Sequence, residues 1–364
     1  MVDRFDVAIV GARIAGSILA SRLGDMGYRV LLVDAATFPS DTISTHFFRG
    51  AGLVSALRDL ALLDEVLTLG APPLRCQYVF SGTDATPAVE DPQQPGEVGY
   101  GLSVRRLSLD RILVERARRT PGVEVRLSTT VRDVARDSDD RVSGIVTEQH
   151  GDRFEIGARL VVGADGRGSL IARRVDAMPV RTEPATRAMY FRYMRGYAGA
   201  DANGPGPEFS FQGDELVYAF PSDAGITCIA ISVNLTSFER FRSGPEPAFT
   251  ERVLAHPGIA PRFEQATAAS RILASGPKDA IVRAASGPGW ALVGDAALHQ
   301  DPWTGLGMDN AAVHAAYLAE AIDTWLGGSV SEADALETYR RRRDDHAMDG
   351  FAFTATAGRD LSAA

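Results

Sequence analysis

Residues 5–16 read Phe5-Asp-Val-Ala-Ile-Val10-Gly11-Ala12-Arg13-Ile14-Ala15-Gly16, and how they fold decides the architecture. Phe5 to Val10 is a short apolar run, the pattern of a strand buried on both faces. Gly11 opens a turn, and a helical pattern follows from about Ala15 to Met26 until Gly27 stops it. Tyr28 to Val33 is a second apolar run, closed by Asp34. A strand, turn, helix and strand in about thirty residues are what a parallel pair and its crossover require. A dinucleotide fingerprint wants one glycine for the tight turn, a second for approach of the pyrophosphate and a third for helix–strand packing. Gly11 and Gly16 hold the first and third places, and Arg13 holds the second. The helix start would turn its free N–H groups toward phosphates, and Arg13 could add a guanidinium. Asp34, 23 residues after Gly11, suits both ribose hydroxyls and disfavours a 2′-phosphate, so FAD or NAD fits better than NADP there.

Two further signals follow strands. Gly163-Ala-Asp165-Gly166-Arg-Gly-Ser169 comes after Leu160 to Val162. Gly294-Asp295-Ala-Ala comes after Ala291 to Val293 and leads through Pro302-Trp303-Thr-Gly305-Leu-Gly307 into a helix over 307–326. A carboxylate at a strand end suits a sugar hydroxyl, and a glycine turn feeding a helix suits an anionic ring edge.

Between these segments the chain changes character. Residues 50–70 and 107–119 read as helices, 74–103 as strand-like with a loop at 91–96, and Val123 to Leu127 as a strand before a hairpin through Asp139-Asp140. Residues 185–235 are a run of strands, 248–270 are helical, 331–348 form a charged helix, and the last dozen residues are expected to fray. The pattern predicts an α/β chain. A Rossmann-like nucleotide domain assembled from 1–73, 104–178 and 276–330 carries an inserted, mainly antiparallel sheet domain of 74–103 and 179–275, with a helical tail at 331–364.

Composition excludes several classes. The 364 residues suffice for about two domains, and an apolar fraction of 45% is ordinary for a globular chain. A net charge of −9 argues against a nucleic-acid surface. Cys76 and Cys228 lie far apart, so neither a metal site nor a redox pair is suggested. Lys278 is the only lysine. The start runs straight into a strand without a leader, and no apolar stretch of about 18 residues occurs. A cytoplasmic protein without a membrane span is expected, as monomer or homodimer. The arginine cluster 340–343 reads as a solvated helix face.

The three strand-end signals, in this order, resemble the FAD-dependent monooxygenase superfamily, which includes aromatic hydroxylases and geranylgeranyl reductases. The resemblance covers about residues 4–330. It implies that Gly11, Ala12, Arg13, Ala15 and Gly16 hold the FAD pyrophosphate, that Asp34 binds the adenosine ribose, and that Asp295, beside Gly294, binds the ribityl chain. It places Asp165 between the flavin and the path of a nicotinamide coenzyme. Pro302, Gly305, Gly307 and Met308 lie against the isoalloxazine, and Arg106, just before Leu109-Asp110, reaches the phosphates or ribityl. Arg13 in place of a glycine, and His314 where an acid is more usual, depart from the family.

Flavin chemistry asks little acid–base machinery of the protein. His46, in Ser44-Thr-His46-Phe-Phe-Arg49, and His299 are the candidate catalytic groups, able to donate or take a proton near neutrality. Arg49 is read as neutralising a phosphate or flavin edge. Tyr190, Tyr218, Phe220 and Trp303 are candidates to line an apolar substrate pocket. The leading expectation is a monooxygenase that uses NADPH or NADH and O2 to hydroxylate or epoxidise a small aromatic or polycyclic substrate. A double-bond reductase of the geranylgeranyl reductase type is the alternative. A halogenase fits less well, because the Trp-x-Trp-x-Ile-Pro motif is absent, and a non-enzymatic FAD-binding protein is the remaining reading.

Overall fold

A computed structural model describes residues 4–89, 97–149 and 152–363. The loop read at 91–96 lies outside them. The first sheet has a parallel centre, in the order Trp290–Leu292, Asp152–Gly163, Arg4–Val10, Val30–Val33 and Val123–Arg126. Val7 sits opposite both Val30 and Leu160, and Val10 is opposite Val33 and Gly163. The strands therefore end level with one another, which brings Gly11, Asp34 and Ala164 to one edge. Helix Ile14–Asp25 makes the first crossover. With Arg106–Arg119 and Gly307–Leu326 it buries Ile18, Leu19, Leu113 and Leu318 in one apolar layer. The hairpin Thr130–Arg136 and Val142–Gln149 extends the sheet antiparallel, ahead of the long strand Asp152–Gly163.

The second sheet is antiparallel apart from one pair, in the order Thr267–Ala268, Arg187–Arg195, Ile226–Asn234, Glu215–Pro221, Glu208–Gln212, Cys76–Ser81 and Asp84–Val89. Its central strands, Arg187–Arg195, Ile226–Asn234 and Glu215–Pro221, are apolar on both faces because both are covered. One face packs under helices Leu235–Ser243, Pro245–Leu254 and Ala260–Gln265 through Tyr190, Val217, Phe241 and Phe249. The other packs Met189, Phe191, Tyr218 and Phe220 against Phe47 and Trp303, on the side of the first sheet.

Several expectations need correction. The helix read over 50–70 is broken into an irregular turn at Gly50–Val54 and two short helices, Ser55–Asp59 and Leu63–Leu67, with Ala61 at φ +57 between them. Helix Leu235–Ser243 starts where the strand pattern was read to end, capped by the Asn234 side chain. The segment read as helical over 248–270 is helical only in Pro245–Leu254 and Ala260–Gln265. The last helix runs Glu332–Ala357, and the tail does not fray. Phe351, Thr354 and Leu361 are buried, Arg187 donates to the Gly358 carbonyl at 3.3 Å, and Leu361 N donates to Asp214 at 2.8 Å. Nor is the 340–343 cluster all solvated: Arg343 is buried, held by Asp344 and the Arg283 carbonyl.

Candidate functional site

A cavity of about 730 Å³ runs between the two sheets, within the usual size of ligand pockets. At its floor the turn after the first strand is packed as closely as backbone allows. Gly11 sits at φ +107, and a Cβ there would lie 2.4 Å from the Ala164 carbonyl oxygen. A Cβ on Gly16 would lie 1.8 Å from the Gly11 oxygen. The turn therefore presses helix Ile14–Asp25 against the strand ends, with no side chain capping its N-terminus. The start of helix Gly307–Leu326 is likewise uncapped. Gly11, Arg13, Ile14 and Ala15 from the first helix start, and Gly305, Gly307 and Met308 from the second, line the same cavity. Two sets of free N–H groups and two positive dipole ends converge on one space, an arrangement that suits a large anionic ligand.

Two arginines reinforce that end. Asp110 is 0% exposed and accepts from Arg13 Nη1 at 2.6 Å and from Arg106 Nε and Nη2 at 2.8 and 3.0 Å. Arg13 also reaches Ser40 Oγ at 3.2 Å and the Asp41 carbonyl, and lies over the Phe38 ring. One carboxylate thus orients two guanidinium groups and leaves a net positive charge beside the helix start. In the sequence Asp110 served only to mark the place of Arg106, and nothing local reveals that it joins two arginines.

Asp34 lines the cavity and accepts from Ala12 N at 2.7 Å and Ala36 N at 2.8 Å. Its carboxylate is fixed in orientation, with lone pairs remaining for sugar hydroxyls. Ala12 and Gly16 shape the turn without lining the space. Asp165 lines the cavity, but its carboxylate faces its own loop, accepting from Ser169 Oγ at 2.5 Å and Leu170 N at 2.6 Å. Burial pushes its pKa up against those hydrogen bonds.

At the other end Asp295 is 42% exposed in its side chain and accepts from His299 Nδ1 at 3.0 Å. The His299 Nε2 is buried without a protein partner, and the residue lines the cavity beside Gln300. Neutral imidazole bonded through Nδ1–H presents Nε2 as an acceptor. Asp295→Ala is expected to weaken FAD by about 1–3 kcal/mol, the scale for losing a charge-assisted hydrogen bond. A fluorescence titration with unchanged affinity would show that Asp295 does not hold the cofactor.

Three candidates are placed otherwise than expected. His46 is 0% exposed and does not line the cavity. Its Nε2 makes a short hydrogen bond to the Tyr193 hydroxyl, and its ring packs on Tyr193 and Phe191. Burial, with Arg106 and Arg105 nearby, pushes its pKa down to about 3, so it is a neutral core residue and not a proton shuttle. Its backbone at φ +70 turns the ring inward. Tyr190 alternates with Met189 and Phe191 and so faces away from the cavity, stacked on Phe241 at 4.4 Å. Arg49 braces the Gly305 turn, reaching the Thr304 and Gly305 carbonyls and pairing with Asp309. Trp303 is buried, with Nε1 donating to the Thr354 carbonyl at 2.9 Å. Tyr218, Phe220, Trp303 and Arg49 border a separate small cleft of about 10 Å³ together with Phe47 and Phe209. The Tyr218 hydroxyl donates to the Trp303 carbonyl at 2.6 Å, and Phe47 stacks on Phe220 at 5.2 Å.

The buried histidines set a pH dependence. His46 near 3, His256 near 4 and His314, also lowered, have folded pKa values depressed below about 6.5 by burial. Unfolded chain takes up protons that the folded chain refuses, so this stability is present above about pH 6.5 and lost as pH falls toward 3. His46→Asn, compatible with positive φ, should flatten the acid limb of a urea-midpoint profile. An unchanged slope would contradict a neutral, buried His46.

The fold and the cavity define a dinucleotide-binding flavoprotein. The chain belongs to the FAD binding domain family, whose model matches residues 4–354, and so is an FAD-dependent oxidoreductase by family. It is similar to the digeranylgeranylglycerophospholipid reductase of Methanosarcina mazei, at 31% identity over 95% of this chain and 82% of that one. In structure it resembles the myxobacterial chondrochloren halogenase, with a TM-score of 0.85 at 24% identity, covering 96% of this chain and 82% of that one. It also resembles PqsL of Pseudomonas aeruginosa, described as a probable FAD-dependent monooxygenase, with a TM-score of 0.80 at 23% identity over 98% and 97%. These structural likenesses establish the fold, an FAD-binding α/β architecture. The residues present fit FAD: close-packed glycines under an uncapped helix, strand-end carboxylates at both ends, and a second uncapped helix start. Among the described residues no helix is long and apolar enough to cross a membrane.

Proposed function

We propose that this chain is an NAD(P)H-dependent FAD oxidoreductase that reduces a carbon–carbon double bond in an apolar, isoprenoid-like substrate. The observation that supports this most is the reach of the Methanosarcina mazei likeness. At 95% of the chain, it extends past the cofactor segments into the second sheet, whose inner face is an apolar wall of Met189, Tyr218 and Phe220. Bound FAD supplies the two-electron chemistry. The helix starts and Arg13 hold its phosphates, and Asp34 and Asp295 take its hydroxyls. The aromatic wall keeps water out and receives the apolar part of the substrate. Saturating a double bond also needs a proton, and His299, which lines the cavity and is oriented through Nδ1 by Asp295, supplies it once Nε2 has itself taken one up.

A second reading, a monooxygenase that uses NAD(P)H and O2 on a small aromatic or polycyclic substrate, is favoured by one observation. The rings of Phe47 and Phe220 stack at 5.2 Å, with Phe209 edge-on to Phe220, a surface suited to a flat ring system. NADPH oxidation, followed with and without oxygen on a polyprenyl and on an aromatic substrate, separates the two. Anaerobic turnover with a product two mass units heavier supports the reductase. Strict oxygen dependence with an added oxygen atom supports the monooxygenase and overturns the first reading, as does the absence of substrate-dependent turnover.

A further inference from the structure

Five cationic side chains line the cavity among the described residues: Arg13, Arg106, Arg167, Arg187 and Lys278. Three are committed. Arg13 and Arg106 share Asp110, and Arg187 is buried on Asp214, Ser232 and the Gly358 carbonyl. Arg167 and Lys278 have no ion pair and no side-chain hydrogen bond among the described residues. They stand close enough to raise each other's energy: burial and Arg167 together push the Lys278 pKa down, against a smaller pull from Asp295.

The loop that carries Arg167 is built to hold it. Ser169 Oγ donates to Asp165 at 2.5 Å, Arg173 donates to the Gly168 carbonyl at 2.5 Å, and Arg283 donates to the Arg167 carbonyl at 3.1 Å. The backbone is pinned from three sides while the Arg167 guanidinium is left exposed. Lys278 comes from the connection between Leu273–Ser275 in the second sheet and Ala280–Arg283. Two like charges on separate loops that line one cavity, neither paired among the described residues, are arranged for an anion that neither loop supplies.

We propose that Arg167 and Lys278 form a second phosphate subsite at the mouth of the cavity, for the phosphate ester of a ligand other than FAD. The ester belongs either to a nicotinamide dinucleotide or to a phosphorylated lipid substrate. The subsite stands whichever reaction the enzyme runs, because its test reads binding and not turnover. FAD-loaded protein is titrated by calorimetry with pyrophosphate, with NADPH and with a short-chain phosphatidate below its micelle concentration. Wild type is expected to bind pyrophosphate in a salt-sensitive way. The double variant Arg167→Ala/Lys278→Ala should bind it at least about tenfold more weakly, with FAD affinity unchanged. A matching loss for NADPH assigns the ester to the hydride donor, and a matching loss for phosphatidate assigns it to the substrate. Equal pyrophosphate binding by wild type and variant overturns the subsite, as does no binding by wild type. A parallel loss of FAD affinity also overturns it, because the cations would then belong to the cofactor site.

Discussion

Gly16→Ala protein is expected to purify without flavin and to bind added FAD at least about a hundredfold more weakly than wild type. The added methyl would meet the Gly11 carbonyl oxygen at 1.8 Å and the Ala164 Cβ at 3.3 Å. Neither neighbour is a flexible side chain that can swing aside, so the helix must lift from the strand ends. Overpacking of this kind costs about 1–3 kcal/mol or more in stability. The larger effect is on binding, because the first-turn N–H groups, the dipole end and Arg13 move together away from the phosphates. Gly27→Ala is the control. Gly27, unlike Gly16, has positive φ, at +92, and nothing lies within 4 Å of its added Cβ. It should cost about 1 kcal/mol of stability and leave FAD affinity intact. If Gly16→Ala retains flavin as wild type does, the close-packed turn is not what holds the cofactor.

Asp110→Ala is expected to cost the apoprotein about 3–5 kcal/mol, the scale for breaking a buried ion pair. The lower end is the better expectation, since Arg13 is 30% exposed and partly solvated. Removing the carboxylate leaves two guanidinium groups facing each other beside an uncapped helix start. FAD then becomes their only counter-anion, so its stabilising effect should be larger in the variant than in wild type. Urea unfolding with and without saturating FAD measures both quantities. An equal FAD-induced shift in the two proteins would show that Arg13 and Arg106 do not face the phosphates.

These two positions differ in how far the sequence revealed them. Gly11, Asp34 and Asp295 stand at strand ends and Gly16 in the first turn of the helix, and local pattern is enough to place them there. The same holds for helix 307–326 and for the alternation of two sheets along the chain. Asp110 was not legible, because its partner Arg13 lies 97 residues away and only the packing of two helices joins them. Tyr190 and Tyr218 looked alike as strand aromatics. Which face each occupies depends on register with Ile231 and Ala230 across the sheet, and a one-residue step reverses the answer. His46 misled because a histidine in a loop reads as available, whereas its positive φ and the Tyr193 hydroxyl draw it into the core. The tail reads as frayed because chain ends usually are. Its order comes from Asp214 and Arg187, more than a hundred residues earlier.

FAD is expected to lie between the two helix starts, held by hydrogen bonds and charge and not by a covalent link. Equilibrium dialysis of purified protein against FAD, followed by an absorbance spectrum before and after acid precipitation, tests this most directly. A single equivalent of flavin per chain, released in full into the acid supernatant, is the predicted result. Protein that shows no flavin bands after reconstitution, or flavin that stays with the precipitate, would contradict it.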